Sequence, residues 1–216
     1  KVLLHKYSGQ EDICVGTPIA GRQQHEVESL IGYFINTLAI RDQITGKMGF
    51  EQVLSEVKNT TLQAYDHQEA PFEKVVETIV KQRDISRSPL FQTMLIYGNI
   101  PETAKLELSK VNITTESSFN QISKFDLSFH VIETSSGLRI SAEYSTDLFK
   151  ESTIRGMLSS YRRILEQILQ KQDLPISAIE LLEDQQKTLL LEQGSSSLSN
   201  APKQTVLEML QEQTLQ

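Results

Sequence analysis

Residues 126–144 read Asp-Leu-Ser-Phe-His-Val-Ile-Glu-Thr-Ser-Ser-Gly-Leu-Arg-Ile-Ser-Ala-Glu-Tyr. Apolar and polar residues alternate in Asp126–Glu133 and again in Leu138–Tyr144, and a period of two is typical of half-buried strands. Because Ser135-Ser136-Gly137 supplies turn residues between them, the stretch predicts a β-hairpin. A helical period follows, with apolar residues at Ile154, Met157, Leu158, Tyr161, Ile164, Leu165, Ile168 and Leu169. A hairpin followed by a long amphipathic helix predicts a mixed α/β fold.

The chain before this hairpin alternates between the same two periods. Strands are predicted at Ile13–Val15, which Gly16 closes, at Phe34–Ile40 and at Phe91–Tyr97. Helices are predicted over Val27–Phe34, over Phe50–Tyr65 and over Phe72–Val80, the last with Pro71 at its first helical position. The fold class is therefore α/β, and we expect a largely non-local mixed sheet with helices covering one face.

Composition excludes several classes of protein. The chain has 216 residues, enough for one domain with a core or one domain plus tails. With 21 Lys and Arg against 28 Asp and Glu, the net charge of −7 argues against a nucleic-acid partner. No apolar run approaches the roughly 20 residues that span a bilayer. Lys1–Ser8 also lack a signal-peptide core, so we expect a cytoplasmic protein without a membrane partner.

The chain divides into a dense and a sparse part. Residues 1–174 carry the periodic segments, whereas residues 175–200 are expected to be an interdomain linker because Gly194–Asn200 is rich in Gly and Ser. Residues 201–216 begin a short amphipathic segment and then stop, which predicts the start of another domain. Because the chain does not begin with Met, we expect it to be processed or to be a piece of a longer protein.

Common catalytic and metal signatures are absent from the sequence. The four histidines, His5, His25, His67 and His130, have no metal-ligand spacing, and one cysteine, Cys14, allows neither a disulfide nor a thiolate-rich site. There is no phosphate-binding loop and no GxSxG elbow. We therefore predict no bound metal, a buried inert thiol at Cys14 and an ordinary sheet-face histidine at His130.

Four stretches interrupt apolar runs with polar residues where the fold gains nothing from them. They are Gly16-Thr17-Pro18-Ile19-Ala20-Gly21-Arg22, Ile31-Gly32-Tyr33-Phe34-Ile35-Asn36-Thr37-Leu38-Ala39-Ile40-Arg41, His67-Gln68-Glu69-Ala70-Pro71-Phe72-Glu73 and Arg83-Asp84-Ile85-Ser86-Arg87-Ser88-Pro89-Leu90. A buried Asn36 would need hydrogen-bond partners. The first stretch predicts a tight loop after a strand.

In this order, the four stretches resemble the condensation domains of nonribosomal peptide synthetases. The first is similar to the family's Gly-Thr-Pro-x-Ala-Gly-Arg loop, and the others resemble its fifth, sixth and seventh core motifs, with Ile35, Glu69 and Ser88 as substitutions. The resemblance covers about residues 1–174 and includes Lys124–Leu127 and Glu143–Phe149. The tail from about Thr205 is similar to the opening helix of an adenylation domain.

The resemblance implies a lobe of the chloramphenicol-acetyltransferase type, two of which enclose a tunnel that carrier-bound donor and acceptor enter from opposite ends. The family forms a peptide bond when the acceptor amine attacks the donor thioester. Its catalytic signature, His-His-x-x-x-Asp-Gly, lies in the N-terminal lobe, and this chain contains no His-His pair. We therefore expect a C-terminal lobe that is inactive alone and holds no catalytic residue, with Thr17–Arg22 reaching toward the other lobe.

By the same resemblance, the tunnel or active-site wall would be formed by Asn36, Thr37, Thr17 and Gly21. Structural or motif roles fall to Arg22, Gly32, Arg41, His67, Gln68, Pro71, Phe72, Glu73, Arg83, Asp84, Arg87 and Pro89. Arg41 is expected to anchor its strand by ion pairing. Glu73 follows Pro71-Phe72, so it falls in the first turn of a helix, where the helix dipole favours a carboxylate. Arg83, Asp84 and Arg87 are expected to form a local charge network.

No directly bound cofactor is expected, because phosphopantetheine would be carried by partner carrier domains. The expected partners are the N-terminal lobe, peptidyl or aminoacyl carrier domains and the adjacent adenylation domain. Two alternatives remain open: a free-standing acyltransferase of the same fold, against which the missing His-His pair argues, and a scaffold that docks carrier domains. An epimerisation domain shares the fold, but the motifs favour condensation, of the subtype that joins two L-residues.

Overall fold

The computed structural model describes residues 1–82, 84, 86–98, 122–135, 137–195 and 205–214. It contains two units, Lys1–Ile179 and Glu180–Gln216. In the second unit, helix α6 spans Asp184–Ser195 and helix α7 spans Val206–Thr214. Arg83, Ser136 and residues 196–204, on which sequence predictions were made, lie outside the described residues.

The first unit is built on a five-stranded sheet. Its strands are β1 (Asp12–Ile19), β2 (Asn36–Gln43), β3 (Thr93–Gly98), β4 (Leu127–Thr134) and β5 (Gly137–Tyr144), in the order β2-β1-β3-β4-β5. β1 with β2 and β4 with β5 are antiparallel, and β3 is parallel to both β1 and β4. The sheet is mixed, and the predicted hairpin of β4 and β5 is present with Thr134 opposite Gly137.

The helices of this unit are α1 (Val2–Ser8), α2 (His25–Glu28), α3 (Phe50–Asp66), α4 (Phe72–Ile79) and α5 (Glu151–Gln170), followed by a 3₁₀ turn at Ile176–Ala178. On one face of the sheet, α3 lies against β2 and α5 against β5. The rings of Phe129 in β4 and Tyr161 in α5 stack there at 6.3 Å. Val15, Ile40 and Val131 share this face by register and are buried.

The opposite face of the sheet is covered around Gly16. Strand alternation turns Gly16 away from Val15, and the buried Phe91 ring lies where a Gly16 side chain would be, 2.2 Å from an added Cβ. Phe91 contacts Phe72 of α4 and Phe125, both with ring centroids 5.6 Å away. Helices therefore cover both faces, whereas the sequence predicted helices on one.

Two local predictions were wrong. Gly16 does not close β1, which continues to Ile19 with Pro18 opposite Thr37 of β2. A proline has no N–H to donate to a neighbouring strand. Among the described residues, β1 pairs with β3 at Gly16 and Met94 and not at Pro18, so no hydrogen bond to β3 is lost there. The helix predicted over Val27–Phe34 is reduced to α2, because Leu30 and Ile31 are exposed and have no core to face.

Two boundaries also move. Pro71 precedes the first helical residue, Phe72, in an extended conformation instead of occupying the first helical position. The first unit ends at Ile179 and not at residue 174: Ile176 and Ile179 are fully buried, and the Lys6 ammonium donates to the Ser177 carbonyl at 3.1 Å. The start of the expected linker is therefore part of the core, and α6 continues to Ser195.

Candidate functional site: the motif junction

Asn36 connects two of the motifs directly. It is the first residue of β2, and its amide nitrogen donates to the carbonyls of Gln68 at 2.9 Å and Ala70 at 2.8 Å. Its amide oxygen accepts from the backbone N–H groups of Thr37 at 2.9 Å and Phe72 at 3.1 Å. We call Asn36 and residues 68–72 the motif junction. An asparagine side chain has two donor hydrogens and two acceptor positions, so all four are used within the chain.

The bond to Phe72 also completes a helix end. The first N–H groups of a helix have no partner inside it, and Pro71, which precedes α4, makes no side-chain cap. Asn36 supplies the missing acceptor from β2. In this geometry Asn36 holds the first residue of α4 in place. Its expected contact with the reacting groups stays a prediction. Thr37, beside it, is half-buried opposite Pro18.

The loop between β1 and β2 is fixed by Arg22. Its guanidinium lies 4.2 Å from the centre of the Phe34 ring and donates to the carbonyls of Val27 and, at 3.0 Å, Glu28. Gly21 has φ +64°, and an added Cβ would lie 1.9 Å from the Phe34 carbonyl oxygen, so this position requires glycine. Gly32 approaches the same ring, at 3.0 Å for an added Cβ. These contacts fix the conformation of loop 20–35.

Loop 20–35 presents apolar side chains outward. Ile31 is fully exposed, Tyr33 is 87 % exposed, and Leu30 and Ile35 are each about half exposed, while Phe34 between them packs under Arg22. We call Leu30, Ile31, Tyr33 and Ile35 the apolar strip. A group of exposed apolar side chains on a fixed loop is typical of an interaction surface. Thr17, also expected to line the wall, is half-buried within β1 opposite Leu38.

Arg41 lies toward the other end of β2 from Asn36. Its guanidinium donates to both carboxylate oxygens of Asp12 in β1, at 2.8 and 2.5 Å. The hydrogen bond from Arg41 lowers the pKa of Asp12, and the same bond raises the pKa of Arg41. The predicted ion pairing of Arg41 is therefore present, and it joins β1 to β2.

The sixth motif forms the turn between α3 and α4. His67 follows α3 with an exposed side chain, and its backbone N–H donates to Ala64. The Gln68 amide donates to the Tyr65 carbonyl at 2.9 Å. Glu73 lies in the first turn of α4, where the helix dipole favours a carboxylate, as the sequence predicts.

The seventh motif is held by Asp84. One carboxylate oxygen accepts from the Ser86 N–H at 2.9 Å and from the Ser86 hydroxyl at 2.6 Å, and Arg87 pairs with the other at 3.2 Å. The two hydrogen bonds from Ser86 are the main reason that the pKa of Asp84 is lowered. The predicted network is present between Asp84 and Arg87, while Arg83 lies outside the described residues.

A turn that the sequence did not predict follows this motif. The Phe91 N–H donates to the Pro89 carbonyl at 2.9 Å across Leu90, which has φ +67°. A three-residue turn with positive φ is rare and strained, and it is more so for a bulky residue. Its effect is to turn Phe91 into the core beneath Gly16. No sequence pattern signals this turn, because Leu90 reads as an ordinary apolar residue.

Cys14 and His130 lie away from the motif junction. Cys14 is half-buried in β1, less than the sequence predicted, and burial raises the pKa of its thiol. Its low reactivity stays a prediction. His130 is half-buried in β4 between the buried Phe129 and Val131, as the alternation predicts. In the part of the chain that the structure describes, no helix is long and apolar enough to cross a membrane.

Comparisons with known proteins agree with the motifs. A family model, Condensation domain, matches residues 1–191. The chain is 39 % identical over 213 residues to tyrocidine synthase 3 of Brevibacillus parabrevis, covering 98 % of this chain and 3 % of that protein. It is 40 % identical over 216 residues to surfactin synthase subunit 1 of Bacillus subtilis strain 168, covering 98 % of this chain and 6 % of the relative.

Solved structures share the fold. A four-domain nonribosomal peptide synthetase bound to AMP and glycine aligns with a TM-score of 0.76 at 24 % identity, over 86 % of this chain and 15 % of that one. The X-domain of teicoplanin biosynthesis, in complex with OxyB, aligns with a TM-score of 0.74 at 26 % identity, over 85 % of this chain and 41 % of that one. The family match covers most of the chain and contains every motif of the junction, so the chain belongs to the condensation domain family of nonribosomal peptide synthetases.

Proposed function

We propose that this chain is the C-terminal lobe of a condensation domain that joins a carrier-bound donor to a carrier-bound acceptor. In that reaction the acceptor amine attacks the donor thioester carbonyl. The C–N bond forms, the C–S bond breaks, and the proton lost by the amine restores the carrier thiol. The observation that carries the proposal is the motif junction, where Asn36 of one family motif holds the backbone of the next.

The proposal includes that the chain is inactive alone. The signature His-His-x-x-x-Asp-Gly, whose second histidine would position or deprotonate the amine, does not occur in the sequence. The chain also spans only 41 % of the X-domain chain to which its fold corresponds. Asn36, Thr37, Thr17 and Gly21 would then form one wall of a tunnel completed by another lobe.

The apolar strip is the surface that we assign to that other lobe. Arg22 and Phe34 fix the loop before any partner binds, which lowers the entropic cost of association. Carrier domains bearing phosphopantetheine would enter the tunnel, and an adenylation domain would follow the second unit. The proposal places the chain in the cytoplasm, where the Cys14 thiol stays reduced.

Amide formation measured by mass spectrometry tests the proposal. Aminoacyl-carrier donor and acceptor are incubated with the chain alone, and with the chain plus a separately produced N-terminal lobe of a condensation domain that carries the His-His signature. We expect product only in the mixture. Product from the chain alone would contradict the proposal, because a base would then have to lie within it, with His67 and His130 as candidates. If neither reaction gives product, titration with a carrier domain tests the scaffold alternative.

A further inference from the structure

Strand β5 forms one edge of the sheet, and its outer side is open. It pairs with β4 over its whole length, from Gly137 to Tyr144, without a bulge. No other described segment pairs with it, and it contains neither proline nor lysine, which often protect an edge strand. A regular edge of this kind is a template for pairing with another strand.

The register of the hairpin shows which main-chain groups of β5 point outward. The Ser145 N–H donates to the Asp126 carbonyl at 3.0 Å, directly beyond the pair of Leu127 and Tyr144. Antiparallel strands alternate between pairs that exchange hydrogen bonds and pairs that do not, so the residues of β5 that bond to β4 are the odd-numbered ones. The even-numbered residues direct their N–H and C=O groups away from β4, where no described segment bonds to them; they are Leu138, Ile140, Ala142 and Tyr144.

The two charged residues of β5 are Arg139 and Glu143. They lie on the same face of the strand, separated by about 13 Å along it, because a strand rises by about 3.3 Å per residue. Arg139 is exposed and Glu143 is half-buried, and neither side chain forms an ion pair or a hydrogen bond with a described residue. The open edge therefore carries one unpaired positive charge and one unpaired negative charge.

We propose that β5 pairs with β5 of a second copy of this chain, in antiparallel orientation and with Ser141 opposite Ser141. In this register the even-numbered residues of the two strands oppose each other, so the outward main-chain groups of both copies meet and exchange hydrogen bonds. Arg139 of each copy lies opposite Glu143 of the other. The two ion pairs are related by the twofold axis of the dimer, as in any interface that joins the same surface of two copies.

The charges favour this register over its neighbours. Moving one strand by two residues keeps the outward groups opposite each other but places Arg139 opposite Ser141 or Ser145, and both charges then stay unpaired. In the proposed register Leu138 also lies opposite Tyr144 of the second copy, which brings apolar side chains together. The pairing joins two five-stranded sheets into one. It is a property of the chain alone and does not depend on its role in amide synthesis.

Sedimentation equilibrium of the whole chain tests the proposal. We expect a dimer that dissociates on dilution and at high salt, because the ion pairs lie at an exposed edge. Arg139→Glu places like charges opposite each other twice and should raise the Kd of the dimer about tenfold. The double variant Arg139→Glu with Glu143→Arg restores opposite charges and should return the Kd to within about threefold of the unaltered value.

Cross-linking tests the register. Ser141 lies opposite itself in a pair without main-chain hydrogen bonds, where the Cα atoms are about 4.5 Å apart, within the range that a disulfide spans. In a Cys14→Ser background, Ser141→Cys should therefore form a covalent dimer under mild oxidation. Ser55→Cys, at an exposed position of α3, is the control and should stay monomeric on the same gel. Circular dichroism verifies that each variant is folded.

Three results would overturn the proposal: a chain that is monomeric at concentrations up to about 1 mM, a folded double variant that associates as weakly as Arg139→Glu, and a Ser141→Cys variant that cross-links no faster than Ser55→Cys. A dimer that Tyr33→Ala dissociates and Arg139→Glu leaves unchanged would also overturn it, because the apolar strip would then join the two copies.

Discussion

Gly16 allows the buried ring of Phe91 to lie directly against β1. A methyl group there would lie 2.2 Å from the Phe91 ring, which is 1 % exposed and cannot withdraw without leaving the core. We therefore expect Gly16→Ala to lower the free energy of unfolding by about 1–3 kcal/mol, the usual cost of overpacking. Urea denaturation measures this change.

Gly156→Ala is the matched control, because Gly156 lies within α5 with open space around an added Cβ. Alanine is favoured over glycine inside a helix by about 1 kcal/mol, so this variant should be more stable than the unaltered chain. Equal effects of the two substitutions would contradict the close approach of Gly16 to Phe91.

The thiol of Cys14 should titrate at higher pH in the folded chain than in the unfolded one. Burial raises its pKa because the thiolate is poorly solvated in β1. Folding therefore favours the protonated thiol, and the free energy of unfolding should fall as the pH rises past the pKa of the unfolded thiol. The pH profile of maleimide labelling, recorded in buffer and in urea, gives the two midpoints. A lower midpoint in buffer would contradict the burial.

At the scale of elements, Asn36 joins a strand to a helix that begins 36 residues later. Asn36→Ala removes the acceptor for the Phe72 N–H and the donors to the Gln68 and Ala70 carbonyls. The Phe72 and Gln68 groups are partly buried, and leaving a buried group unpaired costs about 1–3 kcal/mol. We expect the amides of α4 to exchange hydrogen faster, with those of β4 and β5 unchanged.

Asn36→Asp separates the two halves of this network. Aspartate keeps the acceptor oxygens but loses both donors and places a negative charge against two carbonyls, so α4 should retain more protection than in Asn36→Ala while the chain is still destabilised. Hydrogen–deuterium exchange measures this protection. If the α4 amides of both variants are as protected as those of the unaltered chain, the hydrogen bond from Phe72 to Asn36 does not stabilise the helix.

The sequence predicts best the elements whose apolar residues recur with a single period. The buried residues of α5 recur at helical spacing, and the apolar residues of β5 alternate with polar ones, so their spacing is visible in the chain. In β4, by contrast, the consecutive residues Leu127, Ser128 and Phe129 are all buried. The apolar residues at 27–34 have helical spacing, but of these only Val27 lies in a helix, the short α2, while Phe34 packs under Arg22. Spacing alone does not distinguish these two cases.

The motif residues were found by sequence, but their contacts were not. The sequence indicates that a buried Asn36 needs partners, yet nothing local indicates that these are Gln68, Ala70 and Phe72. The positive φ of Leu90 also depends on contacts between distant segments. Such features come from tertiary packing, to which local patterns do not respond.

For the whole molecule, the apolar strip should govern association with a complementary lobe. Tyrosine is common among the residues that dominate binding energy, and Tyr33 is 87 % exposed on a fixed loop. We expect Tyr33→Ala to weaken binding to a separately produced N-terminal lobe of a condensation domain by about 1–2 kcal/mol, roughly tenfold in Kd. Isothermal titration calorimetry measures the change.

Leu169→Ala provides the comparison, because Leu169 is 79 % exposed on α5 and lies outside the apolar strip. Its affinity for the lobe should equal that of the unaltered chain. If Leu169→Ala weakens binding as much as Tyr33→Ala, the lobe binds a different surface.

The order of the strands in the sheet predicts the order in which they pair during folding. β4 and β5 are joined by a tight turn, so their pairing closes a very short loop, whereas β3 must meet β1 and β4 across long intervening segments. Closing a long loop is slow, because the chain loses conformational entropy before it forms the contacts that compensate for this loss. The hairpin should therefore gain amide protection early in pulse-labelled refolding, and β3, inserted between two preformed strand pairs, should be the last to do so.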